Sequence, residues 1–393
     1  MNRLLIGVLL LAQQVSPQCG SGGSTGSSAV PQNMVVITLN AGPTGDAFNM
    51  PFVSITVCLP GQAINCQQID GVEVDTGSSG LRLLSSALTL ALPRQTTGGA
   101  NVVECFPFQD GYTWGPVATA DLQMGSEKAA SVPIQIIGAP DAPAAPDSCT
   151  SSGGASENTL DTLGANGILG IGIFRQDCGP ACAFVGTSNP GLYYACGSGG
   201  CQVTTSSLTQ QLQNPVWMFP QDNNGVLMQL PNVTPPGQVA ASGLLFFGIG
   251  TQSNNSLGNA NVFTLDASGN MTTTFNASRS PGFIDSGSNG LYFLDSATTQ
   301  IPTCADIKDF YCPPGTLSLS ANNIGANGRA NTVSFSIANA DNYLNLPDSL
   351  LPQLGGPFSG YFDWGLPFFY GRSVFTGIEG QSSPGGVGPY FAY

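Results

Sequence analysis

The sequence predicts an all-β protein built from two similar lobes, and three observations lead to that class. Glycine and proline number 52 and 29 among 393 residues, while only 8% of the chain is charged. Such a profile suits short strands joined by tight turns, because both residues interrupt helices. The second observation is a series of short apolar runs rich in β-branched and aromatic residues: MVVITL, FVSITVCL, VEVDTG, SVPIQIIG, GILGIGIF, GLLFFGIG, GFIDSG and TVSFSIA. Runs of this length and composition favour strands. The third is an internal repeat. VEVDTGSSGLRLL at Val72–Leu84 and GFIDSGSNGLYFL at Gly282–Leu294 share an apolar-Asp-Thr/Ser-Gly-Ser-x-Gly-Leu pattern. A single repeat at this long spacing implies two lobes facing one another rather than a solenoid.

The first segment, MNRLLIGVLLLA, carries one positive charge at Arg3 before its apolar run. That run is too short for a membrane helix, which needs about 20 residues. It fits the core of a secretory signal peptide. We therefore expect a signal peptide over residues 1–18, a Gly/Ser-rich tether over 19–33, an N-terminal lobe over 34–240 and a C-terminal lobe over 241–393. Cys19 stands where bacterial lipoproteins carry a lipidated cysteine, making it a candidate membrane tether for an envelope protein. Of eleven cysteines, ten then remain for disulfides. Cys58/Cys66 and Cys304/Cys312 suggest hairpin staples, while Cys178, Cys182, Cys196 and Cys201 admit either disulfides or a four-thiolate zinc site.

The net charge of −14 disfavours nucleic acid as a partner. The absence of histidine removes Ser-His-Asp and Cys-His catalysis and every His-dependent metal site. Hydrolytic chemistry is left to carboxylates, Lys, Cys, Ser or Tyr. Helices are expected to be few, with signals at Leu81–Leu92 and at Leu208 and Leu212 behind a serine cap. Residues 139–158 and 178–205 read as surface loops.

A lone Asp-Thr-Gly is a weak signal, but two copies at Asp75 and Asp285 in the same apolar context are a strong one. Carboxylates brought together share a proton, so one can polarise a carbonyl while the other deprotonates water. With these motifs the sequence resembles the pepsin-like aspartic proteases over most of its length. The resemblance implies a bilobal β fold with a cleft between pseudo-twofold-related lobes. It implies Asp75 and Asp285 as the catalytic dyad. Thr76 and Ser286 would tie the two loops together, Gly77 and Gly287 would shape them, and Ser78 and Ser288 would bond the outer carboxylate oxygens. Gly167 to Gly172 matches the strand that crosses beneath the first loop, and Trp364 to Phe369 stands in the second such place. GLLFFGIG, Gly243–Gly250, resembles the strand that opens the second lobe.

The family's flap carries a Tyr bonded to a Trp that follows the first motif. Here Phe108 and Arg82 occupy those two positions, so the flap must be held differently, with Tyr112 and Trp114 as further flap candidates. The expected activity is endopeptidase cleavage of a polypeptide in the cleft by a monomer without metal or cofactor. The other reading is a non-catalytic envelope protein that holds a peptide or glycan in that cleft.

Overall fold

The computed structural model describes residues 33–151 and 154–393, so the signal-peptide segment, most of the tether and Cys19 lie outside the described residues. The described chain is mostly β. One sheet of 17 strands carries the first repeat, and a sheet of seven strands carries the second.

Each repeat builds the same arrangement. In the first, the strand Cys66–Asp75 runs parallel to Gly167–Ile171, with Gly170 opposite Asp75. Gly167–Ile171 also lies antiparallel against Ser79–Leu84, the strand that leaves the Asp75 loop. In the second, Ser278–Ile284 runs parallel to Phe358–Trp364, which lies antiparallel against Leu291–Leu294. Each Asp loop is therefore held at the end of a strand by a crossing strand from the same lobe. In the second lobe that crossing strand comprises residues up to Trp364, whereas Leu366–Phe368 form a turn of 3-10 helix.

Alternation along the strands sends one side chain in two to each core. In the first lobe Val72, Val74, Leu81, Leu83, Ile134 and Leu169 are fully buried. Burying such side chains stabilises the fold by roughly 1.5–3 kcal/mol each. The second core is aromatic: Phe275, Phe293, Phe335, Phe362 and Trp364 meet in stacked, tilted and edge-to-face pairs. The Trp364 indole N–H donates to Asn323 Oδ1 at 3.0 Å, which satisfies its one polar group.

A shared set of strands stitches the lobes. Met34–Leu39 pairs with Ala241–Phe247, which pairs with Gly225–Gln229, then Ser373–Gly377, Tyr390–Ala392 and Val262–Thr264. The GLLFFGIG run thus belongs to the stitching strands.

Two helical expectations fail. Leu81–Leu84 continue a strand, followed by a 3-10 turn at Ser85–Ala87. Ser207 starts only a turn, because the Leu212 N–H donates to the buried Tyr193 hydroxyl at 2.7 Å and not to the Leu208 carbonyl. The 178–205 stretch is also more than a loop. Tyr193–Gly197 joins the sheet beside Ala100–Pro107, and Tyr193 and Tyr194 are buried.

Among the described residues five disulfides are present: Cys58–Cys66, Cys105–Cys149, Cys178–Cys182, Cys196–Cys201 and Cys304–Cys312. Both hairpin staples form, and the four cysteines from Cys178 to Cys201 make two bridges, which overturns the zinc alternative. Disulfides at this density mark an extracytoplasmic protein. Full reduction should lower the thermal midpoint markedly, since a native bridge typically contributes about 2–5 kcal/mol. Scanning calorimetry with and without reductant checks this, and an unchanged midpoint would contradict it.

Candidate active site

The two Asp loops meet where the lobes face each other, and four reciprocal hydrogen bonds join them. Thr76 Oγ1 accepts from the Ser286 N–H at 2.9 Å and donates to the Ile284 carbonyl at 3.4 Å. Ser286 Oγ accepts from the Thr76 N–H at 3.1 Å and donates to the Val74 carbonyl at 2.6 Å. Both hydroxyls lie in buried residues, where an unmade bond costs more than a made one gains. The lattice therefore fixes the two loops relative to each other.

Within each loop the backbone and one serine hold the carboxylate. The Gly77 and Ser78 N–H groups donate to Asp75 Oδ1 at 2.7 and 3.2 Å, and the Ser78 hydroxyl donates to Oδ2. The Gly287 N–H donates to Asp285 Oδ1 at 2.8 Å, and the Ser288 hydroxyl donates to Oδ2 at 2.9 Å. The two carboxyls are brought together, each lying against the glycine of the opposite loop. A side chain on either glycine would forbid this approach. A Cβ on Gly77 would lie 2.5 Å from Asp285 Cγ, and one on Gly287 would lie 2.8 Å from Asp75 Oδ1. Burial, then the Asp75 charge, then the Asp363 charge push the Asp285 carboxyl well above the usual carboxylate range.

More acids line the same region. Glu73 precedes Asp75 by two residues on its strand and so shares its face, while Val72 and Val74 face the core. Burial, then the charges of Asp75, Asp110 and Glu157, raise the Glu73 carboxyl well above its ordinary value. Asp363 lies between the core residues Phe362 and Trp364 and so faces the opposite way, toward the dyad. Burial raises its carboxyl well above the usual range; a Ser288 hydrogen bond opposes the rise and the Asp75 charge adds to it.

The flap is the hairpin of Ala100–Pro107 and Gly111–Met124, closed by a Phe108 N–H to Gly111 carbonyl bond of 2.8 Å. Phe108 is half-buried and packs with the cluster of Leu84, Ile137, Leu163 and Ile168. Tyr112 and Trp114 are buried in a satellite core with the Cys105–Cys149 bridge and Tyr194, and the Trp114 indole donates to the Pro143 carbonyl. The flap is held by Arg82. Its guanidinium, fully buried, pairs with Glu104 Oε1 at 2.9 Å and Asp177 Oδ2 at 3.2 Å, and lies 3.7 Å from the Phe106 ring centre. The Tyr193 hydroxyl donates to Asp177 at 2.9 Å. Glu104 and Phe106 belong to the first flap strand, so an ion pair and a stacked ring anchor the hairpin to the first lobe. Sequence reasoning had no signal for Glu104, Asp177 or Tyr193, whereas alternation through Val72-Glu73-Val74-Asp75 contained one for Glu73.

At the tip, Glu157 lies against Gly111, and its N–H donates to the Tyr112 carbonyl at 2.9 Å. Burial, then the charge and hydrogen bond of Asp110, raise Glu157 to about 8.

This bilobal β fold with paired Asp loops is that of the pepsin-like aspartic proteinases. The chain matches the structure of an aspartic proteinase from Irpex lacteus with a TM-score of 0.54 and 14% sequence identity, covering 91% of this chain and 96% of that one. It belongs to the family described as protein of unknown function (DUF3443), whose profile matches residues 29–393. No curated protein matches it.

Two outcomes follow from the site. Arg82→Met would leave Glu104 and Asp177 facing each other without a cation, costing about 3–5 kcal/mol. Urea unfolding checks this, and an unmoved midpoint would contradict it. Glu157 stays protonated in the fold after the unfolded chain has lost the same proton, so unfolding releases a proton between about 4.5 and about 8. Stability should therefore fall as pH rises through that window, by at most about 1.4 kcal/mol per pH unit for one such group. Glu157→Gln should flatten the fall measured from pH 5 to 7.5. A wild-type stability that climbs across that range would contradict the assignment.

Proposed function

We propose that this protein is an exported aspartic endopeptidase in which Asp75 and Asp285 activate a water molecule against a peptide bond. The observation that carries the reading is the close approach of two carboxyls presented on reciprocally locked loops. Two carboxyls this close share one proton, and the raised Asp285 carboxyl favours keeping it there. Protonated Asp285 then donates to the peptide carbonyl oxygen, and the Asp75 carboxylate takes a proton from the attacking water. Ser78, Ser288 and the glycine N–H groups hold each carboxylate in the orientation this requires. Phe108 at the flap tip would lie against the bound chain, without the hydroxyl that a tyrosine would offer. Export follows from the signal-peptide pattern, with Cys19 as the candidate lipid tether in the cell envelope.

The altered flap favours one other reading, a cleft that holds a peptide or glycan without cutting it, because Arg82 and Phe108 together remove the family's flap hydrogen bond.

Peptide cleavage by the purified mature chain between pH 3 and 7, with and without pepstatin, separates the two. The expected result is inhibitable cleavage with a maximum below neutral pH, lost in Asp285→Asn, since the reaction needs one proton on the pair. A folded sample that cuts nothing in a diverse peptide library would leave the binding reading in place. A maximum well above neutral would contradict the dyad mechanism.

A further inference from the structure

The walls beside the dyad carry an asymmetry that the lobe duplication makes visible. Glu73 occupies the place in the first lobe that Phe283 occupies in the second, 210 residues later. The crossing strands reverse the order: Ile168 is paired with Glu73, and Asp363 is paired with Phe283. Each side of the dyad therefore presents one acid and one apolar side chain.

The acids are buried without counter-charges. Glu73 and Asp363 are 7% and 3% exposed. Among the described residues, the ion pairs are those of Arg82 with Glu104 and Asp177 and of Arg94 with Asp141, and none reaches Glu73 or Asp363. Asp363 Oδ1 is a buried atom with no hydrogen-bond partner. It stands on the dyad face, close enough to Asp285 and Asp75 to feel both charges. A buried carboxyl oxygen without a donor is costly, and a charged donor compensates it best. An apolar ligand side chain would leave Oδ1 unsatisfied, and an anionic one would be repelled. A lysine ammonium or an arginine guanidinium supplies both the charge and the donor.

We infer that the cleft receives a polypeptide bearing a lysine or arginine side chain beside the dyad, with Asp363 as its anchor and Glu73 as a second acidic wall. The inference rests on the reading of the cleft as a polypeptide site, and it concerns selectivity, not bond cleavage. Phe283, paired with Asp363, would line the stem of that side chain, as long basic residues bury their methylenes on apolar surface while the head finds its partner.

The test uses the full mature chain with its disulfides intact and non-cleavable statine peptides at pH 5.5. The peptides are identical except for lysine, arginine or norleucine flanking the statine, and binding is read by calorimetry. The basic peptides should bind about tenfold or more tightly than the norleucine peptide, as expected for a charge-assisted bond in a buried site. Asp363→Asn should cut that advantage to about threefold or less, while retained binding of the norleucine peptide reports a folded cleft. Glu73→Gln serves as the second variant, with a smaller loss in the same direction.

Equal or tighter binding of norleucine by the wild type would overturn the inference, as would a basic preference that survives both substitutions. Parallel cleavage assays keep the two proposals apart. Cleavage of neutral peptides without basic preference would remove the inference and leave the endopeptidase. Selective binding of basic peptides without cleavage at any pH would keep the inference and remove the endopeptidase.

Discussion

The reciprocal bonding of Thr76 and Ser286 is the constraint on which the rest of this molecule depends. Each hydroxyl takes a backbone N–H from the opposite lobe and gives its own proton to a backbone carbonyl there. Because the bonds are buried and cross between repeats, neither loop can shift without breaking the other's contacts. The carboxyl pair is a consequence of that lock, since like-charged groups would otherwise move apart. So is the elevation of Asp285, which follows from its desolvation in the half-buried loop and from holding it beside Asp75. The crossing strands complete the frame by placing Gly170 against Asp75 and Trp364 against Ile284.

Around that frame, one substitution has been absorbed by rebuilding its surroundings. Arg82 stands at a position where the related fold uses an indole, and a buried guanidinium is tolerable only with partners. Glu104 supplies one from the flap strand, Asp177 another from the segment after the crossing strand, and Phe106 covers the planar face. Tyr193, on the strand that the cysteine-rich segment places beside the flap, then bonds Asp177. The cysteine-rich segment and the arginine thus form a single device. A hydrogen bond at the flap tip has been exchanged for a buried ionic cluster nearer its base.

The fold class and the paired loops were legible in the sequence because short-range chemistry dictates them. An apolar strand ending in Asp-Thr/Ser-Gly-Ser forms the same loop in both lobes, and the two copies announce the duplication. Hairpin disulfides were legible for the same reason, as Cys58 and Cys66 sit opposite each other on adjoining strands. Contacts set by tertiary placement were not. Arg82 meets Asp177 across 95 residues, and nothing local to either marks the encounter. Cys105–Cys149 depends on where a loop returns, which spacing does not reveal. The helical reading near Leu212 failed because a buried tyrosine hydroxyl outcompeted the local carbonyl for one N–H. Glu73 lay in plain view, since strict alternation in Val-Glu-Val-Asp puts both acids on one face.

The stitching strands bear on the order of events in folding. Met34–Leu39 has its longest pairing with Ala241–Phe247, and Ser373–Gly377 lies between Gly225–Gln229 and Tyr390–Ala392. The first described strand must therefore wait for about 200 residues of chain before its main neighbour exists, and the sheet closes only with Tyr390–Ala392. Loop closure over such distances is slow compared with local hairpin formation. A ribosome or translocon releasing this chain from its N-terminus would emit the two lobes' hairpins well before the strands that join them could assemble. The joined molecule, and with it the meeting of the two aspartates, is a product of the completed chain.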